Sequence, residues 1–175
     1  FNNHIEEILN PNSAYMYVDV GGGSTELTLY YDKKVIVSKS FNIGTVRMVL
    51  DKVDKNEWDE LKAWVKKNTN GIHPLSAIGS GGNINKIFKM SGKKETKHLS
   101  FDKLKGIYEM LNSYTVKERI ERLGLKPDRA DVIIHAAKIF LSVMKHADIE
   151  KVYVPQVGLS DGLVHDLYEN YLKNK

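Results

Sequence analysis

Residues 15–31 read YMYVDVGGGSTELTLYY, and the rest of the chain is best read outward from them. The flanks, Tyr15 to Val20 and Thr25 to Tyr31, are rich in Val, Tyr, Thr and Leu, the composition of strands, and the glycines between them mark a reversal. An antiparallel hairpin is therefore expected. A second turn at 32–34 leads into Val35 to Phe41, where Val35, Val37 and Lys39 alternate with Ile36, Ser38 and Ser40, so a third strand completes a meander. Asp19 lies at the end of an apolar strand, where an unpaired buried carboxylate is costly, so it calls for a cation or a solvent-filled cleft. Glu26 lies just past the turn.

Downstream, the period lengthens to that of helices. Val46, Val49 and Leu50 are spaced for one helix after Gly44. A clearer one starts at a cap, Asp54 or Asn56, carries the stripe Trp58, Leu61, Trp64 and Val65, and ends at Gly71. PLSAIGSGGNINKIF (74–88) reads as a short strand running through glycines into a helix. Two helices capped by Ser100 and Thr115 follow, over 100–114 and 116–123. Pro127 then opens a long helix to about Met144, with Val132, Ile133, Ala136, Ala137, Phe140, Leu141 and Met144 as its apolar face. A strand, KVYVP, and a helix, GLSDGLVHDLYENYL, end the chain. Hairpins followed by strand–helix alternation predict an α/β domain whose mixed sheet has helices on both faces.

The 175 residues, 42% hydrophobic and 27% charged, suit one soluble domain over 1–175 without linker or repeat. There is no cysteine, which excludes disulfides, zinc–thiolate sites and a thiol nucleophile and fits a reducing, cytoplasmic setting. No apolar run approaches the roughly 20 residues that span a bilayer. The net charge of +4 mildly favours an anionic partner. Its densest stretch, Lys89, Lys93, Lys94 and Lys97 around Gly92, reads as a solvated connection, and no interleaved aromatics suggest nucleic acid. The sequence starts at Phe1 without an initiator methionine, so a piece of a longer protein is expected.

Gly21, Gly22 and Gly23 have two readings. They satisfy a turn that needs positive φ, or they let an anion reach the peptide amides, with Ser24 and Thr25 adding hydroxyls. A second cluster, GSGGN (79–83), places Gly79, Gly81, Gly82 and Asn83 where a strand feeds a helix N-terminus, a geometry suited to anions. Asp19 and Glu26 can share one hydrated Mg²⁺. Two glycine sites and a carboxylate pair together point to a phosphate and metal cleft. Neither cluster has a P-loop ending or dinucleotide spacing. Arg47 is placed for a phosphate or interdomain contact, or for a surface carboxylate. Arg129 and Asp131 are explained by capping and dipole pairing, and His135 by packing. Ser24 has no nearby base to make it a nucleophile.

The set resembles the actin, sugar kinase and heat-shock protein 70 superfamily. Within it, DVGGGSTEL followed by SFNIGTVRM resembles the exopolyphosphatase and guanosine pentaphosphate phosphohydrolase family. That family carries D-[IV]-G-G-G-S-T-E at its second phosphate loop, then G-x-V-R (here 44–47), a glycine turn before a helix (GSGGN), R-x-D (129–131) and G-L-R-E-G (here GLSDG). Ser160 and Asp161 stand where the family has Arg and Glu, and Asn83 stands for a hydroxyl residue. The resemblance implies the second, C-terminal half of a two-domain hydrolase core. Its missing N-terminal domain would carry another phosphate hairpin and the glutamate base of an E-E-A segment, for which Glu6 and Glu7 are wrongly spaced. Implied with it are Mg²⁺ on Asp19 and Glu26 as catalytic residues, and polyphosphate or guanosine pentaphosphate as substrate, the fragment alone being inactive. A kinase or ATPase of the superfamily, or a phosphate-sensing module without turnover, are the alternatives, and a homodimer is left open.

Overall fold

The computed structural model describes residue 10 and residues 13–32, 34–92 and 98–155. Strands β1 (Ala14–Val20), β2 (Thr25–Tyr31) and β3 (Lys34–Phe41) form the expected meander, with a bulge between Leu29 and Tyr30. Strand β4 (Leu75–Ser80) lies parallel to β1 on its other side, and β6 (Lys151–Tyr153) lies parallel to β4. A three-residue edge strand, β5 (His98–Ser100), runs antiparallel to β6. The order across the mixed sheet is β3-β2-β1-β4-β6-β5. β5 was not expected, because three residues with only Leu99 fully inward show no period.

Alternation divides the sheet into two faces. Met16, Val18, Leu27 and Leu29 are wholly buried on one, each contributing about 1.5–3 kcal/mol through burial. Over them pack α2 (Lys55–Thr69), α3 (Gly82–Met90), α4 (Phe101–Asn112) and α7 (Ile133–His146), with Leu61, Ile84, Leu104 and Phe140 in the same core. The caps are as read: Asp54 accepts from the Glu57 amide, Ser100 from that of Lys103, and Thr115 forms a capping box with Glu118. Tyr15, Tyr17 and Ile78 form a smaller cluster on the opposite face, joined by Tyr30 and Tyr153. The helix expected from GLSDG, with Ser160 and Asp161, lies outside the described residues, as do Lys93, Lys94, Lys97, Glu6 and Glu7.

Two helical expectations change. The long helix from Pro127 is two, α6 (Pro127–Ala130) and α7, separated at Asp131 and Val132. Arg119 on α5 (Val116–Glu121) sits at this break, its Nη1 donating to the Ala130 carbonyl at 2.9 Å. The stripe predicted for α1 (Thr45–Val49) exists but faces outward, with Val46, Val49 and Leu50 at 47%, 41% and 56% exposure.

Candidate active site

Asp19 and Glu26 are directly opposed on β1 and β2, and Asp19 is also level with Ser80 on β4. Opposed residues in an antiparallel pair project to the same face with neighbouring Cβ atoms. The carboxylates therefore stand together at the end of the sheet where both glycine loops emerge. Glu26 is held by two hydroxyls on one oxygen, since Ser24 donates to Oε1 at 2.6 Å and Ser40 at 2.9 Å. Its Oε2 accepts from none of the described residues. Sequence reading missed Ser40, which lies opposite Glu26 in the β2–β3 register.

The first loop is a tight reversal closed by the Gly21 amide on the Ser24 carbonyl at 2.9 Å. None of Gly21, Gly22 and Gly23 has a positive φ, so conformation does not require them. Packing accounts for part. A Cβ on Gly22 would come within 3.1 Å of Val46 Cγ2, and one on Gly44 would lie 2.3 Å from the Gly22 carbonyl oxygen. Around Gly23 there is nothing within 4 Å. The loop's carbonyls are turned away from the opening, because Gly21 O accepts from the Thr45 amide at 3.0 Å and Gly22 O from those of Val46 and Arg47 at 2.9 and 3.2 Å. The amides of Gly22, Gly23 and Ser24 donate to nothing among the described residues. This is an array of donors facing solvent beside two carboxylates.

Two residues assigned to this array leave it. Thr25 is wholly buried, and its hydroxyl donates to the Ile43 carbonyl. Gly21 keeps its place in the loop but spends its amide on the turn. Arg47 is tied to the loop through its backbone, and its half-exposed guanidinium makes no ion pair among the described residues.

In the second loop Gly81 is the residue that requires glycine, with φ 109° at the N-cap of α3. It brings the loop against the carboxylates: a Cβ there would lie 3.7 Å from Asp19 Oδ1 and 3.3 Å from the Val20 carbonyl oxygen. Gly82 and Asn83 open α3, whose first amides have no intrahelical acceptor. Gly79 does not belong with them. It faces the core, where a Cβ would meet Phe140 Cε1 at 2.9 Å and Val152 Cγ2 at 3.1 Å. Arg129, given only a capping role from sequence, donates from Nη1 to the Gly82 carbonyl at 3.2 Å and so stands over this loop.

Among the described residues no group of three or more His, Asp or Glu forms a ligand cage. Two adjacent carboxylates beside anion donors suit a hard cation that keeps water and takes its remaining ligands from phosphate, as Mg²⁺ does. No described helix is long and apolar enough to cross a membrane.

The sequence profile of the Ppx/GppA phosphatase family matches residues 5–171. The chain belongs to that family. A comparison with curated proteins finds no match. Among solved structures, the Ppx/GppA phosphatase of Aquifex aeolicus is similar at 23% identity and TM-score 0.71, over 93% of this chain and 59% of that one. An exopolyphosphatase from Cytophaga hutchinsonii is similar at 20% identity and TM-score 0.70, over 91% and 58%. An exopolyphosphatase-like protein is similar at 27% identity and TM-score 0.65, over 90% and 60%. The fold of this Ppx/GppA chain is thus the actin-like one anticipated, and the chain spans about three fifths of the length of these proteins.

Proposed function

We propose that this chain is the second domain of a phosphoanhydride hydrolase core that releases terminal phosphate from polyphosphate or guanosine pentaphosphate. The observation that carries the reading is the meeting of Asp19 and Glu26 as strand partners between two loops with outward amides. Membership of a phosphatase family agrees with it.

Phosphoryl transfer asks mainly for positioning and for charge stabilisation. Here the amides of Gly22, Gly23 and Ser24 bind phosphate oxygens on one side and those of Gly82 and Asn83 on the other, with Arg129 and Arg47 adding charge. Asp19 and Glu26 would hold Mg²⁺, which when bound neutralises charge on the phosphates. Ser24 and Ser40 fix Oε1 of Glu26, so the carboxylate enters the site already oriented. The remaining part of the protein supplies the general base and the facing wall, closing over Val46, Val49 and Leu50 beside the first loop.

The test compares phosphate release by this chain and by the full-length protein, with Mg²⁺ and either substrate. We expect negligible release by the chain alone, and release by the full-length protein that falls at least about a hundredfold in Glu26→Gln. Robust release by the chain alone, abolished in Asp19→Ala, would overturn the divided site.

A further inference from the structure

Arg119 is only 5% exposed, yet it makes no ion pair among the described residues. Its Nε donates to the Leu111 carbonyl at 2.8 Å and its Nη1 to the Ala130 carbonyl at 2.9 Å. Leu111 lies in the last turn of α4, where its carbonyl also accepts from the Tyr114 amide at 3.3 Å, and Ala130 is the last residue of α6. The planar fork therefore clips the end of α4 to the end of α6. Asp131 follows directly, with Oδ1 buried and no hydrogen bond among the described residues.

Burying a guanidinium is costly even with the Asp131 carboxylate near it, and an apolar side chain of the same length would fill a core more cheaply. What Arg119 provides that an apolar residue does not is a fixed position for Ala130. The neighbouring residue, Arg129, is half-exposed and reaches across 47 positions of sequence to the Gly82 carbonyl. Its Nη2 lies 3.0 Å from where a Cβ on Gly82 would be. A long side chain is aimed at one spot only if its backbone is held.

We propose that Arg119 is a positioning residue for the second phosphate loop: by clamping Ala130 it holds the α6 turn so that Arg129 stands over Gly82. This rests on reading Gly81 to Asn83 as a phosphate loop. It adds a residue that touches neither phosphate nor metal, and whose loss acts only through Arg129.

The experiment uses this chain, with tripolyphosphate binding by calorimetry, thermal melting, and the amide resonance of Gly82 without ligand. In Arg129→Ala we expect binding about tenfold weaker. Arg119→Met should weaken it by nearly as much and move the Gly82 resonance to its position in Arg129→Ala. The double variant should bind no more weakly than Arg129→Ala, since both changes act on one contact. Arg119→Lys should recover part of both signals, and serves in place of the Met variant if that does not fold. A lower melting temperature with wild-type affinity and an unmoved Gly82 resonance would overturn the positioning role alone. Losses that add in the double variant would do the same. Failure of the unsubstituted chain to bind tripolyphosphate would overturn the phosphate reading and the proposal with it.

Discussion

The two glycine loops look equivalent as strings, GGGST and GSGGN, but they are built on different principles. The first is a reversal between antiparallel strands whose backbone is ordinary, with no positive φ. Its carbonyls are drawn back by the amides of α1, and Gly44 is the residue that permits this close approach. The second is a strand–helix junction that needs positive φ at Gly81 and is held from outside by Arg129. One loop is locked by its own hairpin and the helix that follows it. The other depends on a side chain far away in sequence. Rigid support for the first and remote support for the second imply that they fail in different ways.

The largest expected effect falls on the first loop. In Gly44→Ala the new Cβ would sit 2.3 Å from Gly22 O and 2.4 Å from the Gly23 carbonyl carbon, both backbone, so loop or helix must move. Overpacking of this kind costs about 1–3 kcal/mol, and here there is no flexible side chain to yield. We expect a urea midpoint lowered accordingly and loss of tripolyphosphate binding. Gly23→Ala, with nothing within 4 Å, should change stability by no more than about 0.5 kcal/mol. Equal destabilisation of the two variants would break the distinction between close approach and open amides.

On the second loop, Gly82→Ala should separate binding from folding. Its Cβ meets only the end of Arg129, 3.0 Å from Nη2, and that side chain can swing away. Stability should change by no more than about 0.5 kcal/mol in a urea melt, while tripolyphosphate binding falls to that of Arg129→Ala. A variant that binds like the unsubstituted chain would show that Arg129 contributes nothing at this loop.

How much of this was legible in the sequence follows the same division. The meander, the carboxylate pair and the first loop all lie within 28 residues of chain, Ala14 to Phe41, where strand period and turn chemistry carry the information. Local pattern could not tell Gly79 from Gly81, because Gly79 is still in β4, where a Cβ would meet Phe140 and Val152, whereas Gly81 lies past the strand at the N-cap of α3. Nor could it tell Thr25 from Ser24, since only the folded chain sets one hydroxyl on the Ile43 carbonyl and the other on Glu26. Arg119 was hidden for another reason. VKERIE has the charge pattern of a solvated helix, and its buried arginine is explained by the carbonyls of Leu111 and Ala130 and the nearby charge of Asp131, brought together by folding. That unseen contact lies where α6 ends, beside the underrated Arg129.

The smallest expected effect would sharpen the contrast by acid. His135 lies on α7 among Lys138, Arg119 and Asp131. Burial foremost, then the positive charges of Lys138 and Arg119, hold its pKa below the ordinary value, against an opposing pull from Asp131. The unfolded imidazole takes up its proton near pH 6.5, and the folded one does so only in stronger acid. Between those two points the unfolded chain binds more protons, so stability falls as pH drops below about 6.5 and stops falling once the native ring titrates. His135→Gln should lack this limb in urea midpoints taken between pH 7 and 5. Over the same interval the Gly82 amide resonance should follow the His135 titration, since the imidazolium forms beside the Arg119 clamp, while that of Gly22 stays in place. Equal movement of both would mean that the loops share a support, and that the second is not held from α5 and α6 alone.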